Sequence, residues 1–146
     1  MIGSLRMIHG LGAAALLLCI GSAGDAKSDH AVGIWGGPHV GVDFLGGLAD
    51  VQFDCASGTL DDALYPAHDG SFSVKGTYRT GAPGPVKVGQ FFTSKDAVYS
   101  GQIAKGPGKK SPRVMSLSVT LEDGTHIGPF ALTEGSAPQL TRCPAS

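Results

Sequence analysis

The sequence predicts an all-β domain, a small antiparallel β-barrel or sandwich of about eight strands. Three observations lead there. Apolar and polar residues alternate with period two, most cleanly where Met115, Leu117, Val119 and Leu121 interleave with Ser116, Ser118 and Thr120. Turn formers punctuate the alternating runs, with 23 glycines and no asparagine in 146 residues, so turns fall to Gly, Asp-Gly and Pro. No segment past residue 26 carries helical spacing.

Residues 1–26 read as a secretory signal peptide. Arg6 supplies the positive start, Leu11 to Ile20 the apolar stretch, and small residues follow. The apolar stretch is too short to span a membrane. Cleavage is expected after Ala23 or Ala26. A lipid-anchored alternative on Cys19 is poorer, because Leu18 stands where a small residue is needed. The domain is therefore 27–146, exported to the periplasm or beyond.

Alternation begins after a polar lead-in, with Trp35 opening the first strand among glycines. Val40, Val42 and Phe44 take one parity, His39, Gly41 and Asp43 the other. A turn at Leu45–Leu48 leads to Ala49, Val51, Phe53 and Cys55, set against Asp50, Gln52 and Asp54. The first set is assigned to the core. Residues 56–67 suggest a loop enclosing a short strand. Asp69-Gly70 is a hairpin signal, followed by Phe72, Val74 and Tyr78 on one face. Gly81, Pro83, Gly84 and Pro85 are too dense in breakers for a strand. Phe91 and Phe92 then precede a strand with Ala97, Tyr99, Gly101 and Ile103 inward. Lys105 to Pro112 is a basic loop without the spacing of a phosphate-binding loop. Asp123-Gly124 turns the Met115 strand into 125–132, where Gly128-Pro129 interrupts the period and calls for a β-bulge. Gln139 to Cys143 is expected to form a short closing strand.

Composition bounds the function. One domain with one core fits the length. Formal charge is −1, and losing the leader removes Arg6 and Asp25 together and leaves it unchanged. No polybasic or polyacidic block points to nucleic acid or to an anionic membrane. Of three cysteines, Cys19 falls in the leader, so Cys55 and Cys143 remain as a pair. In an oxidising compartment they are expected to form a disulfide, worth about 4–5 kcal/mol on the chain-entropy estimate. A free or metal-binding thiol pair is the alternative, made poorer by the export signal.

Trp35 is the only tryptophan. Gly33-Ile34-Trp35 on a first strand, with Arg142 in Leu140-Thr141-Arg142-Cys143 near the end, resembles the lipocalin-like (calycin) pattern. That resemblance implies a guanidinium lying across the indole and closing the barrel base. Gly33 to Phe44, Phe53-Asp54-Cys55-Ala56 and Thr141-Arg142-Cys143-Pro144 also resemble a group of secreted bacterial proteins without assigned activity. Read from the residues alone, Trp35 is a core aromatic.

Signals for chemistry are sparse. His39, His68 and His126 lack metal-ligand spacing and read as solvated, so no metal or other cofactor is expected. Asp43, Asp50, Asp54, Asp61 and Asp62 fall on outward parities or in loops and read as solubilising carboxylates. No Gly-x-Ser-x-Gly elbow occurs, and the mature cysteines are committed to each other, so an enzyme is disfavoured. Two expectations remain. One is a carrier whose barrel mouth, lined by Tyr78, Phe91 and Tyr99, holds a small apolar ligand. The other is a protein-binding or inhibitory module of the cell envelope, working through the 81–85 or 105–112 loop. An enclosed apolar void favours the first, a filled interior the second.

Overall fold

The structure, a computed structural model, describes residues 30–45, 48–81, 88–89, 93–141 and 143. The expected signal peptide, most of the 81–85 loop, Phe91 and Arg142 lie outside the described residues.

Eight strands follow one another: β1 (Gly33–Gly37), β2 (Val40–Phe44), β3 (Ala49–Phe53), β4 (Ala56–Leu60), β5 (Ser71–Thr80), β6 (Ser94–Ala104), β7 (Val114–Leu121) and β8 (His126–Glu134). Each pairs antiparallel with the next, and β1 pairs with β8 through Trp35↔Glu134 and Gly36↔Thr133, so the sheet closes into an up-and-down barrel. No helix among the described residues is long and apolar enough to cross a membrane.

The inward parity is the predicted one. Val40, Val42, Val51, Phe53, Phe72, Tyr99 and the Met115–Leu121 set are all buried. Closure leaves them no route to water except the two barrel ends. The predicted bulge is present: Leu117 faces Phe130 and Val119 faces Ile127, so β8 carries one residue more than β7 across that interval. Gly128, at φ +104°, supplies the backbone bend.

Four expectations are corrected. The run from residue 33 to Phe44 is a hairpin, split by a two-residue turn in which Pro38 is followed by His39 at φ +68°. Asp69-Gly70 is not a two-residue turn, although the longer loop it belongs to does join the antiparallel pair β4 and β5. It ends the 61–70 loop, where the Asp69 carboxylate accepts hydrogen bonds from the Ser71 amide and hydroxyl. Cys55 is an exposed turn residue between β3 and β4 rather than a core position. Gln139 to Cys143 is not a closing strand, since β8 already closes the barrel on β1.

The C-terminal segment is instead an external strap. Gly135, at φ +77°, turns the chain out of β8. Residues 136–138 then cross the outer face of the β1–β2 hairpin over the registered pair Gly36 and Gly41. A Cβ at Gly36 would strike the strap backbone at Ser136–Pro138, and one at Gly41 would strike the Pro138 ring. Beyond the crossing, Gln139 donates its amide to Gly37 (3.0 Å) and accepts the His39 amide (2.9 Å). Thr141 N–H donates to Asp54 Oδ1 (2.7 Å), and His39 Nδ1 lies 2.6 Å from Asp54 Oδ2. A Cys55–Cys143 disulfide, Cα atoms 5.5 Å apart, completes the attachment, as expected of the pair.

Candidate functional site

An up-and-down barrel has two ends. The starts of β1, β3, β5 and β7 and the ends of β2, β4, β6 and β8 lie together at one, here called the base. The strap is fastened at the other, called the rim.

The expected ligand mouth involves Tyr78 and Tyr99, and both point inward. Tyr99 is fully buried, and its hydroxyl donates to the Thr77 carbonyl (2.7 Å). Its ring crosses the interior where β4 and β5 carry glycines: a Cβ at Gly58 would collide with the Tyr99 hydroxyl, and one at Gly76 would press on the ring. Burial holds its hydroxyl far above the ordinary phenol range. Tyr78, partly buried nearer the rim, packs with its ring tilted against Phe53 at 5.4 Å, and Phe53 lies 5.5 Å from Phe130 across the barrel. Burial raises its hydroxyl as well. The two tyrosines thus project into the barrel interior. Phe91, the third residue of that expected mouth, lies outside the described residues.

At the base, Trp35 is fully buried and its indole N–H donates to the Val32 carbonyl (3.1 Å). A guanidinium does cover the indole, and it is that of Arg113, with Cζ 5.3 Å from the ring centroid. Arg113 Nε and Nη2 also form a two-pronged pair with Glu134 at 2.9 Å each. Glu134 is the register partner of Trp35 in β8, so the three groups close the seam between last and first strands. The Arg113 hydrogen bonds hold the Glu134 carboxyl below the usual carboxylate range. Arg142, for which this role was expected, lies outside the described residues. A signal for Arg113 existed: it stands two residues before Met115, on the inward parity of the clearest strand.

Above that seam the base is capped by Leu64, fully buried from the 61–70 loop, whose carbonyl accepts the Ala31 amide (3.0 Å). Outside the cap an open cleft of about 1050 Å³ runs between the 66–70 stretch and the β6–β7 loop. Asp69 and His68 stand on one wall and Lys105 on the other, with Val32, Arg113 and Glu134 also lining it. The β4–β5 loop that forms the first wall carries exposed Asp61, Asp62 and Asp69. The β6–β7 loop carries exposed Lys105, Lys109 and Lys110.

Exposed apolar side chains gather at this same end. Of nine large exposed hydrophobics among the described residues, Val32, Ile34, Leu45, Leu48, Tyr65 and Val114 belong to the base, from 39% exposed for Val114 to 70% for Leu45. Single exposed apolar residues are ordinary, whereas here six lie at one end of a small barrel. Periodicity could not have found this group, because its members come from the starts, ends and loops of different strands.

The histidines do not converge. His39 is committed to Asp54, His126 Nδ1 is 3.0 Å from the Thr120 hydroxyl, and His68 is exposed on the cleft. Among the described residues no three His, Cys, Asp or Glu side chains come together as a metal site. No protein family, curated protein or solved structure matches the chain.

Proposed function

We propose that this is an exported, non-enzymatic protein-binding module of the cell envelope, in which the barrel serves as a rigid support and the base serves as the binding surface. The observation that carries this reading is that aromatic side chains cross the barrel interior, with buried Tyr99 reaching from β6 to Gly58 on β4 and Phe53 lying 5.4 Å from Tyr78 and 5.5 Å from Phe130, which works against a small apolar ligand held inside. Recognition then falls to the outside, and the base offers apolar side chains, two oppositely charged loops and the cleft between them. The 105–112 loop, one of the two loops singled out by the sequence, lies at this end. The disulfide and the leader-like first 26 residues support an oxidising, exported setting.

Native mass spectrometry of the protein purified from its own host tests the proposal. The expected spectrum carries the barrel with protein bound and no small apolar molecule retained. A stoichiometric apolar ligand surviving purification would restore the carrier reading, with its lipocalin-like expectation.

A further inference from the structure

We infer that the base is a self-complementary surface, and that its occupant is a second copy of this chain. This rests on the reading of the base as the binding surface and names the partner that fits it.

The argument is one of charge and geometry. One wall of the cleft belongs to a loop with three exposed acidic residues, Asp61, Asp62 and Asp69, and no Lys or Arg. The other belongs to a loop with three exposed lysines, Lys105, Lys109 and Lys110, and no Asp or Glu. Opposite charges are thus separated across a single end face, with apolar groups between and beside them, Val32 within the cleft and Tyr65 on the acidic loop. An anionic membrane would be repelled by the acidic wall, and a uniformly acidic or basic partner would meet like charge on one side.

A second copy meets neither obstacle. A twofold axis lying in the end face along the cleft turns the molecule over and exchanges the walls. The acidic loop of each copy then faces the basic loop of the other, while the apolar side chains meet around the axis. This is the isologous arrangement that closes at two copies and leaves no surface for further growth. The intramolecular pairing of Arg113 with Glu134 removes those two charges from the account, which leaves the three acidic and three basic side chains of the two loops to be matched across the cleft.

Analytical ultracentrifugation of the exported protein across a wide concentration range tests this. A monomer–dimer equilibrium is expected, weakened by salt because its charged part lies at the periphery of the contact. Tyr65→Asp, at a side chain 63% exposed whose ring touches only His30 among the aromatic contacts of the described residues, should weaken it by about tenfold or more, with an unchanged urea midpoint showing that the fold is kept. The double reversal Lys109→Glu/Lys110→Glu should weaken it similarly, as should Asp61→Lys/Asp62→Lys. Mixing the two reversed proteins should restore pairing, because each reversed loop then faces its opposite in the heterodimer. A monomer at every concentration, a dimer indifferent to these changes, or reversed proteins that fail to pair when mixed would each overturn the inference. A monomer whose host protein partner is lost on Lys109→Glu/Lys110→Glu would overturn the second copy alone and leave the base standing as a docking surface for a different protein.

Discussion

The two ends of this barrel are closed by different means. At the rim, closure is covalent and polar: the strap is held by a disulfide, by backbone bonds to the β1–β2 turn, and by the Asp54 carboxylate gripping Thr141 and His39. At the base, closure is by packing: Trp35 fills the interior, Arg113 covers it, Glu134 fixes Arg113, and Leu64 plugs what is left. The rim hides a bare glycine surface, Gly36 and Gly41, under a piece of its own chain. The base leaves its apolar side chains in water. A small domain that covers one surface with its own tail and leaves another apolar surface open has treated the two differently, and the open one is where a partner is to be sought.

The base should dominate stability. Trp35→Ala removes a fully buried ring that nothing nearby can replace, and should cost about 3–5 kcal/mol in a urea titration. Arg113→Ala should cost about 1–2 kcal/mol through loss of the ring contact and of its stem packing. Because the two side chains touch, a double-mutant cycle should give a clear coupling energy. Additive losses would mean that the base is held by Leu64 and the strand ladder, not by the seam group.

The rim comes next. Replacing both Cys55 and Cys143 with Ser opens a loop closed by residues 88 apart, and should lower stability by about 2–5 kcal/mol. The loss belongs largely to the unfolded chain, so the inner core should keep its slow hydrogen exchange while amides 136–141 exchange faster. Unchanged protection of the strap would show that backbone bonds and the Asp54 contacts suffice to hold it.

The smallest effect is a dependence on acid. The Thr141 amide, with help from His39, holds the Asp54 carboxyl below its ordinary value of 3.8. A carboxyl depressed by folding stabilises the fold above its unfolded pKa, and that contribution is lost as pH falls through its folded pKa. The base has a second such group in Glu134, held down by Arg113. Asp54→Asn should therefore flatten part of the acid limb of stability, below about pH 4, and leave the Glu134 part in place. Parallel wild-type and variant curves would remove Asp54 from the account of the rim.

Strand periodicity made most of the barrel wall legible. The Met115–Leu121 run, the inward Tyr99 and the bulge at Gly128-Pro129 all follow from local alternation, which is a property of neighbours in sequence. The disulfide was legible by counting, since a pair remained. Contacts between distant residues were not. Arg113 reaches Trp35 because β7 and β1 are brought to one barrel end, and spacing does not encode that meeting. The strap was mistaken for a strand because Gln139 to Cys143 has no feature that distinguishes an extended segment inside the sheet from one lying over it. The signal that could have done so is on the opposite side of the contact, in the outward-facing Gly36 and Gly41.

The seam of β8 on β1 also constrains when this chain becomes a folded object. Trp35 is made near the beginning of the domain, whereas Arg113 and Glu134, which enclose it, come about 80 and 100 residues later. The intervening strands can pair in succession as they emerge, yet β1 keeps one edge unpaired until β8 arrives. Growing chains thus carry an open, aggregation-prone edge for nearly the whole of their synthesis. Truncations that end before Glu134 are expected to be insoluble rather than merely less stable, because they leave that edge as a template for pairing between chains.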